Sequence, residues 1–309
     1  MKTRQRILMY MAAAWASPLA AQAPPVFSAS VESVYVDVFV SRGGQPIPGL
    51  VASNFELRDN GVAQSPALVS AESQPLRSVL VFDTSSSVVG ERLSALKAAG
   101  ESFLDGLRPS DEAALFSFSE EIVWLARPTA DKSVVRQALQ KLQPTGATSA
   151  YDALFAALAL SEEGGRALIV LFTDGEDNMS VLDEKQIAAA LERSNAIVHT
   201  VGWVEPVAVQ STLLPRGGRM TSAPPPEPDH IRALRRIAEV TGGRFWGADS
   251  PERLRRAFAD IADAMGQRYV LRYEPQGVTR EGWHRIEIRL RNQKGELQAR
   301  RGYWVAPRR

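Results

Sequence analysis

The sequence predicts an α/β fold: a Rossmann-like, doubly wound, mostly parallel sheet inserted in a smaller β-sandwich that the N- and C-terminal segments build together. Three observations predict it. Two apolar, β-branched runs end in aspartate, SVLVFD at 78–83 and ALIVLFTD at 167–174, and such runs are strands buried on both faces of a parallel sheet. Strand-like and helix-like periods alternate through the middle of the chain, the mark of βαβ units. Both ends carry short alternating strands instead, the pattern of sheets with one wet face.

In chain order, residues 1–23 set Lys2, Arg4 and Arg6 ahead of a short apolar run and small residues ending in Ala21-x-Ala23. That is the layout of a secretory signal peptide. Its apolar run, about 10 residues, is too short for an ordinary membrane span; retention as an anchor is the alternative. Pro24 disfavours a cut directly after Ala23 and points to Ala20 or Ala21. The chain has no cysteine, so neither disulfides nor a lipid-modified thiol is available. The expectation is a periplasmic or secreted protein with no transmembrane segment once the signal is removed. Its formal charge of +1 falls to −2 without the three leader cations, which leaves no basic excess for phosphates and argues against nucleic acid as a partner.

Residues 28–73 alternate Val34, Val36, Val38 and Val40 against Tyr35, Asp37 and Phe39, a strand with one buried face. Asn60-Gly61 marks a hairpin. Residues 267–306 repeat the texture, with Ile286, Ile288 and Leu290 alternating with charges. Neither half-sheet buries a face alone, so the two are expected to close one β-sandwich. Between them, at 76–266, strands are predicted at 78–83, 111–118, 167–173 and 196–203, with a further short strand at 122–128. Helices are predicted at 91–107, 131–142, 149–161, 183–194, 229–241 and 251–266. Residues 205–228 are rich in Pro, Gly and Ser and read as a flexible loop. The arginines at 232, 235, 236, 253, 255 and 256 occupy the solvated faces of their helices. His199 is expected in the core or at an edge, and His230 and His284 on the surface.

Five oxygen-bearing residues in three separate stretches point to chemistry: Asp83, Ser85 and Ser87 in VLVFDTSSS, Thr148 in PTGATSAYDAL, and Asp174 in LIVLFTDGEDN. In an open α/β sheet the ligand crevice lies beyond the carboxyl ends of the strands near the switch point, so carboxylates that finish two strands converge there. Ser85 and Ser87 share a parity that aims both hydroxyls at one point, with Thr84 and Ser86 facing away. Two carboxylates and three hydroxyls are hard oxygen donors suited to Mg²⁺, Mn²⁺ or Ca²⁺ and poorly suited to zinc or copper.

These residues make the sequence resemble the von Willebrand factor type A domain over roughly residues 76–265, with its metal-ion-dependent adhesion site of D-x-S-x-S, a distant Thr and a distant Asp. The resemblance implies Ser85 and Ser87 as direct ligands, Thr148 as direct or water-mediated, and Asp83 and Asp174 as acting largely through water. It also implies a divalent cation, Mg²⁺ first, and a partner protein that presents an Asp or Glu carboxylate to it. The whole layout, including NFELRDNG and ARRGYWV, resembles exported von Willebrand factor A-related proteins of acidobacterial type.

The expected function is therefore an exported, metal-dependent protein-binding module for adhesion or assembly. One alternative is a structural envelope-assembly protein in which the metal serves stability. The other is a metal-dependent hydrolase, for which Glu176 and Asp177 are the base candidates. No G-x-S-x-G elbow, P-loop or G-x-G-x-x-G occurs, so a non-enzyme is expected.

Overall fold

Alternating valines make the first strand, β1 (Val34–Arg42), whose Val36 and Val38 are fully buried while Tyr35 is exposed. It is followed by β2 (Gln45–Pro46), β3 (Phe55–Asp59), β4 (Val62–Gln64) and β5 (Ala67–Val69). The β3–β4 hairpin turns on Asn60 and Gly61, both at positive φ (46° and 81°), the turn that matches strand twist. The protein is seen here as a computed structural model that describes residues 33–69, 75–161, 166–204, 211–213, 219–221, 226–279 and 281–305. The signal peptide expected at 1–23 lies outside the described residues, as does most of 205–228.

The middle of the chain alternates as β6 (Leu76–Asp83), α1 (Glu91–Asp105), β7 (Glu112–Phe118), β8 (Ile122–Thr129), α2 (Lys132–Gln140), α3 (Ala150–Ser161) and β9 (Arg166–Thr173). It continues with α4 (Glu184–Arg193), β10 (Ile197–Trp203), β11 (Ser211–Leu213), β12 (Arg219–Thr221), α5 (Asp229–Val240), β13 (Phe245–Ala248) and α6 (Pro251–Gly266). Six strands form one sheet in the order β13-β10-β9-β6-β7-β8. All its pairings are parallel except β7 with β8. Side-chain parity divides the core: Leu80 and Phe82 face α1, α2 and α6, whereas Val79 and Val81 face α3, α4 and α5. The chain leaves β6 toward β7 and β8, then returns to the opposite side as β9. The switch point therefore lies between β6 and β9.

The chain ends with β14 (Tyr269–Tyr273), β15 (Gly282–Leu290), β16 (Glu296–Gln298) and β17 (Gly302–Val305). N- and C-terminal strands pair directly: β1 with β14 and β16, and β3 with β15. The resulting sheets, β16-β1-β14-β5 and β17-β15-β3-β4, share a core of Val36, Val38, Phe55, Leu57, Leu271 and Ile286. This sandwich is joined to the central sheet by buried charge. Arg166 donates to Asp37 Oδ1 at 2.9 and 2.6 Å and to the Met265 carbonyl. Arg268, 4% exposed, donates through one nitrogen to the carbonyls of Asp37, Gly242 and Gln298. Burial pushes its guanidinium down to about 10. Gly242, at φ 76°, leaves no room for a Cβ, which would lie 2.4 Å from the Ala299 and Arg300 backbone.

Three sequence expectations are corrected. His284 is not a surface residue but 1% exposed: it shares the inward parity of Ile286, and its Nδ1 lies 2.9 Å from Asp59 Oδ1. His230 is half-buried, with Nδ1 3.7 Å from Glu176. The 205–228 stretch is not all loop, since Ser211–Leu213 and Arg219–Thr221 pair antiparallel. The sequence also missed β13, four residues being too few to show a period. His199 is in the core, as one of its alternatives had it. Its Nδ1 accepts from the Arg244 amide and the Trp246 indole, both at 3.1 Å, and burial, aided by Arg268, pushes the ring down to about 3.

Asp59 is fully buried, and Tyr273 Oη, Tyr303 Oη and His284 all point at its carboxylate. Asp59→Ala leaves these donors without their acceptor inside the sandwich, and urea unfolding should show a loss of about 3–5 kcal/mol. His199 supplies a pH dependence. Folded, it stays neutral down to about 3, whereas unfolded it takes a proton near 6.5, so its contribution is complete above 6.5 and is lost as pH falls. Between pH 7 and pH 5 wild type should lose about 2 kcal/mol more than His199→Asn, which keeps an acceptor and does not titrate.

Candidate metal centre

Parallel pairing of β6 with β9 puts Phe82 opposite Phe172, so the residues that follow, Asp83 and Thr173–Asp174, leave the sheet side by side. Asp83 is fully buried. Its Oδ1 accepts the Ser85 amide at 2.8 Å and its Oδ2 the Thr173 hydroxyl at 2.6 Å. Burial raises its carboxyl, against the lowering by those two bonds. Among the described residues no lysine or arginine forms an ion pair with it.

The loop after β6 places the two serines of like parity together. Ser85 and Ser87 Oγ lie 3.0 Å apart, and Ser87 donates to Asp174 Oδ1 at 2.6 Å. Ser87 spends its one proton on Asp174, so Ser85 is the donor between the two hydroxyls. The result is a relay from Ser85 through Ser87 to Asp174. Thr84 and Ser86 turn away: Thr84 bonds to the Phe118 carbonyl through amide and hydroxyl, and Ser86 to the Gly146 carbonyl likewise.

Those outward bonds tie down the third stretch. Thr145 donates its amide to the Thr84 carbonyl at 2.7 Å, and Gly146 holds Ser86 from φ 70°. Thr148 follows, 4% exposed. Its amide donates to Asn178 Oδ1, and its carbonyl accepts the amides of Asn178 and Met179. Asp83, Ser85, Ser87 and Asp174 thus form two touching hydrogen-bonded groups at the switch point. Thr148 shares no hydrogen bond with them among the described residues and is held through its backbone by Asn178 and Met179.

Arg92 completes the group and was not anticipated. Its Nη1 lies 2.9 Å from Asp174 Oδ2, and the Asp174 side chain has no exposed surface. The guanidinium carbon also lies 5.3 Å from the centroid of the Trp203 ring. One signal was available. Arg92 is the second residue of α1, where a cation opposes the helix dipole and calls for an acidic partner. Thr173, which orients Asp83, and Gly146 gave no comparable signal.

The donors fit a hard divalent cation. They are oxygens, two of them on buried carboxylates, and the three side chains Asp83, Asp174 and Arg92 sum to one negative charge. Among the described residues no group of three or more His, Cys, Asp or Glu side chains is placed to hold a metal, so hydroxyls must supply part of any such site. The base candidates have other partners. Asp177 accepts from the Tyr151 amide and from the Ser180 amide and hydroxyl, which anchors α3, and Glu176 faces His230.

Residues 78–176 match the family model of the von Willebrand factor type A domain, a span that contains all five candidate residues. Among curated proteins, the chain is 28% identical over 209 residues to a UPF0353 protein of Mycolicibacterium paratuberculosis, covering 61% of this chain and 60% of that protein. The chain thus spans about three fifths of the length of the curated relatives it matches. Among solved structures, it is similar to the von Willebrand factor type A protein from Catenulispora acidiphila, with 14% identity and a TM-score of 0.50 over 90% of this chain and 76% of that one. It is also similar to the vWF domain of the type V pili tip protein Mfa5 from Porphyromonas gingivalis, with 17% identity and a TM-score of 0.48 over 62% of this chain and 95% of that one. The central α/β unit has the von Willebrand factor type A fold. Among the described residues no helix is long and apolar enough to cross a membrane.

Gly146 carries the tie between two of the three stretches. Gly146→Ala forces an L side chain into left-handed backbone and should cost about 1–2 kcal/mol in urea unfolding. Gly175→Ala is the contrast, because a Cβ there meets nothing within 4 Å, and it should unfold close to wild type.

Proposed function

We propose that this chain is an exported, metal-dependent protein-binding module, in which Asp83, Ser85, Ser87, Thr148 and Asp174 hold a divalent cation and a partner protein supplies a carboxylate to it. The observation that carries the reading is the Ser85–Ser87–Asp174 relay, at 3.0 and 2.6 Å, beside the buried Asp83. A cation bound there supplies an electrophilic position for an anionic oxygen. Everything else is the work of the chain. Asp83 and Asp174 provide negative charge from behind, each fixed by hydroxyl donors, Thr173 for one and Ser87 for the other. The serine hydroxyls direct their lone pairs outward because their protons are committed inward.

Mg²⁺ is the first choice of ion, with Mn²⁺ and Ca²⁺ as alternatives, because the donors are neutral hydroxyls and carboxylates. Export follows from the leader at 1–23, and the periplasm or the exterior is the proposed location. Asp177 is engaged in three hydrogen bonds and Glu176 faces His230, so neither base candidate is turned to the relay, which supports binding over hydrolysis. A second reading rests on Asp83: a buried carboxylate that no arginine or lysine among the described residues pairs with gains stability from a cation, so the metal also serves the fold.

Calorimetric titration of the chain lacking residues 1–23 with Mg²⁺, Mn²⁺ and Ca²⁺ should show saturable binding, lost in Asp83→Ala and Asp174→Ala. Thermal unfolding should rise with Mg²⁺ in wild type alone, by about 2.7 kcal/mol at a hundredfold excess over Kd. Equal binding by Asp83→Ala would sink the metal assignment.

A further inference from the structure

We propose that Arg92 is a built-in cation that competes with the divalent ion for Asp174, so that loading the site requires the guanidinium to be released. The inference rests on the metal reading above and adds the residue that sets how tightly the ion is held. Both carboxylate oxygens of Asp174 are engaged, Oδ1 by Ser87 at 2.6 Å and Oδ2 by Arg92 at 2.9 Å. The carboxylate is fully buried, while the Arg92 side chain is 32% exposed. The arginine therefore has a route to solvent that the aspartate lacks. Trp203, with its ring centroid 5.3 Å from the guanidinium carbon, gives that cation a second surface.

Charge decides the consequence. Asp83 and Asp174 bring two negative charges to the relay, and Arg92 cancels one of them. An ion seated on the Ser85 and Ser87 hydroxyls is attracted by Asp83 but meets a like charge already resting on Asp174. The free site thus binds metal weakly. A partner's carboxylate restores the cancelled charge, so metal and partner bind more tightly together than apart. Arg92 stands in the first turn of α1, against the helix dipole, so the helix itself does not hold the cation there, and Asp174 is a counterweight to it.

The test is Mn²⁺ binding to the full chain, followed by electron paramagnetic resonance, in wild type, Arg92→Gln, Arg92→Lys and Asp174→Asn. Arg92→Gln should bind Mn²⁺ about tenfold more tightly than wild type, the size of one screened like-charge repulsion. Arg92→Lys, which keeps the charge, should stay near wild type, and Asp174→Asn should bind more weakly. Equal or weaker binding by Arg92→Gln, with wild type binding, overturns the role of Arg92 and leaves the metal site standing. Failure of wild type and Arg92→Gln alike to bind at millimolar Mn²⁺ overturns the metal site and this inference with it. A second measurement is independent of any variant's folding. In wild type titrated with Mg²⁺, the Arg92 side-chain NMR signals should shift with the same midpoint as metal binding, and signals unmoved at saturation reject the competition.

Discussion

The parallel pairing of β6 with β9 is the constraint on which the rest of the candidate site depends. It sets Phe82 opposite Phe172, and the next residue of each strand follows from that register. Asp83 and Thr173 come within 2.6 Å of each other without any long side chain reaching across. Because the sheet is covered on both faces, a one-residue slip of either strand would drive the side chains packed for one helix layer into the other. The hydroxyl and carboxylate geometry is thus fixed by apolar packing well below it. The polar bonds in the loops then do a smaller task, choosing which side chains of VLVFDTSSS face inward.

Much of this was legible. Long periodic segments gave the parallel strands β6, β7, β9 and β10 and the six helices, because their side chains are selected by two covered faces. The meeting of Asp83, Ser85, Ser87 and Asp174 was legible for the same reason, since it needs only strand ends and loop parity. Arg92, Thr173 and Gly146 were not, because each acts through a partner about 60 to 90 residues away in sequence, and nothing local selects them except the dipole conflict at Arg92. His284 shows the opposite failure. It was in phase with Ile286 and Ile288, but a titratable ring looked like a surface group until Asp59 was placed beneath it. Partners, not periods, decide where polar residues go.

The sandwich and the central sheet share their polar interior. Arg268 reaches three carbonyls from three parts of the chain, Asp37 in β1, Gly242 after α5 and Gln298 in β16. Arg166 opens β9 and grips Asp37. The same strand that ends at the candidate site therefore begins at the seam with the sandwich. His199 lies on neighbouring β10, and the nearby Arg268 charge helps to keep its ring neutral.

The β1–β14 pairing has a mechanical meaning. Val34 lies opposite Tyr273 and Val38 opposite Tyr269, and α6 enters β14 at the Tyr269 end. Tension applied between the beginning of β1 and α6 therefore pulls the two strands from opposite ends of their ladder. Five residue pairs resist at once, in shear, rather than parting one at a time as a zipper does.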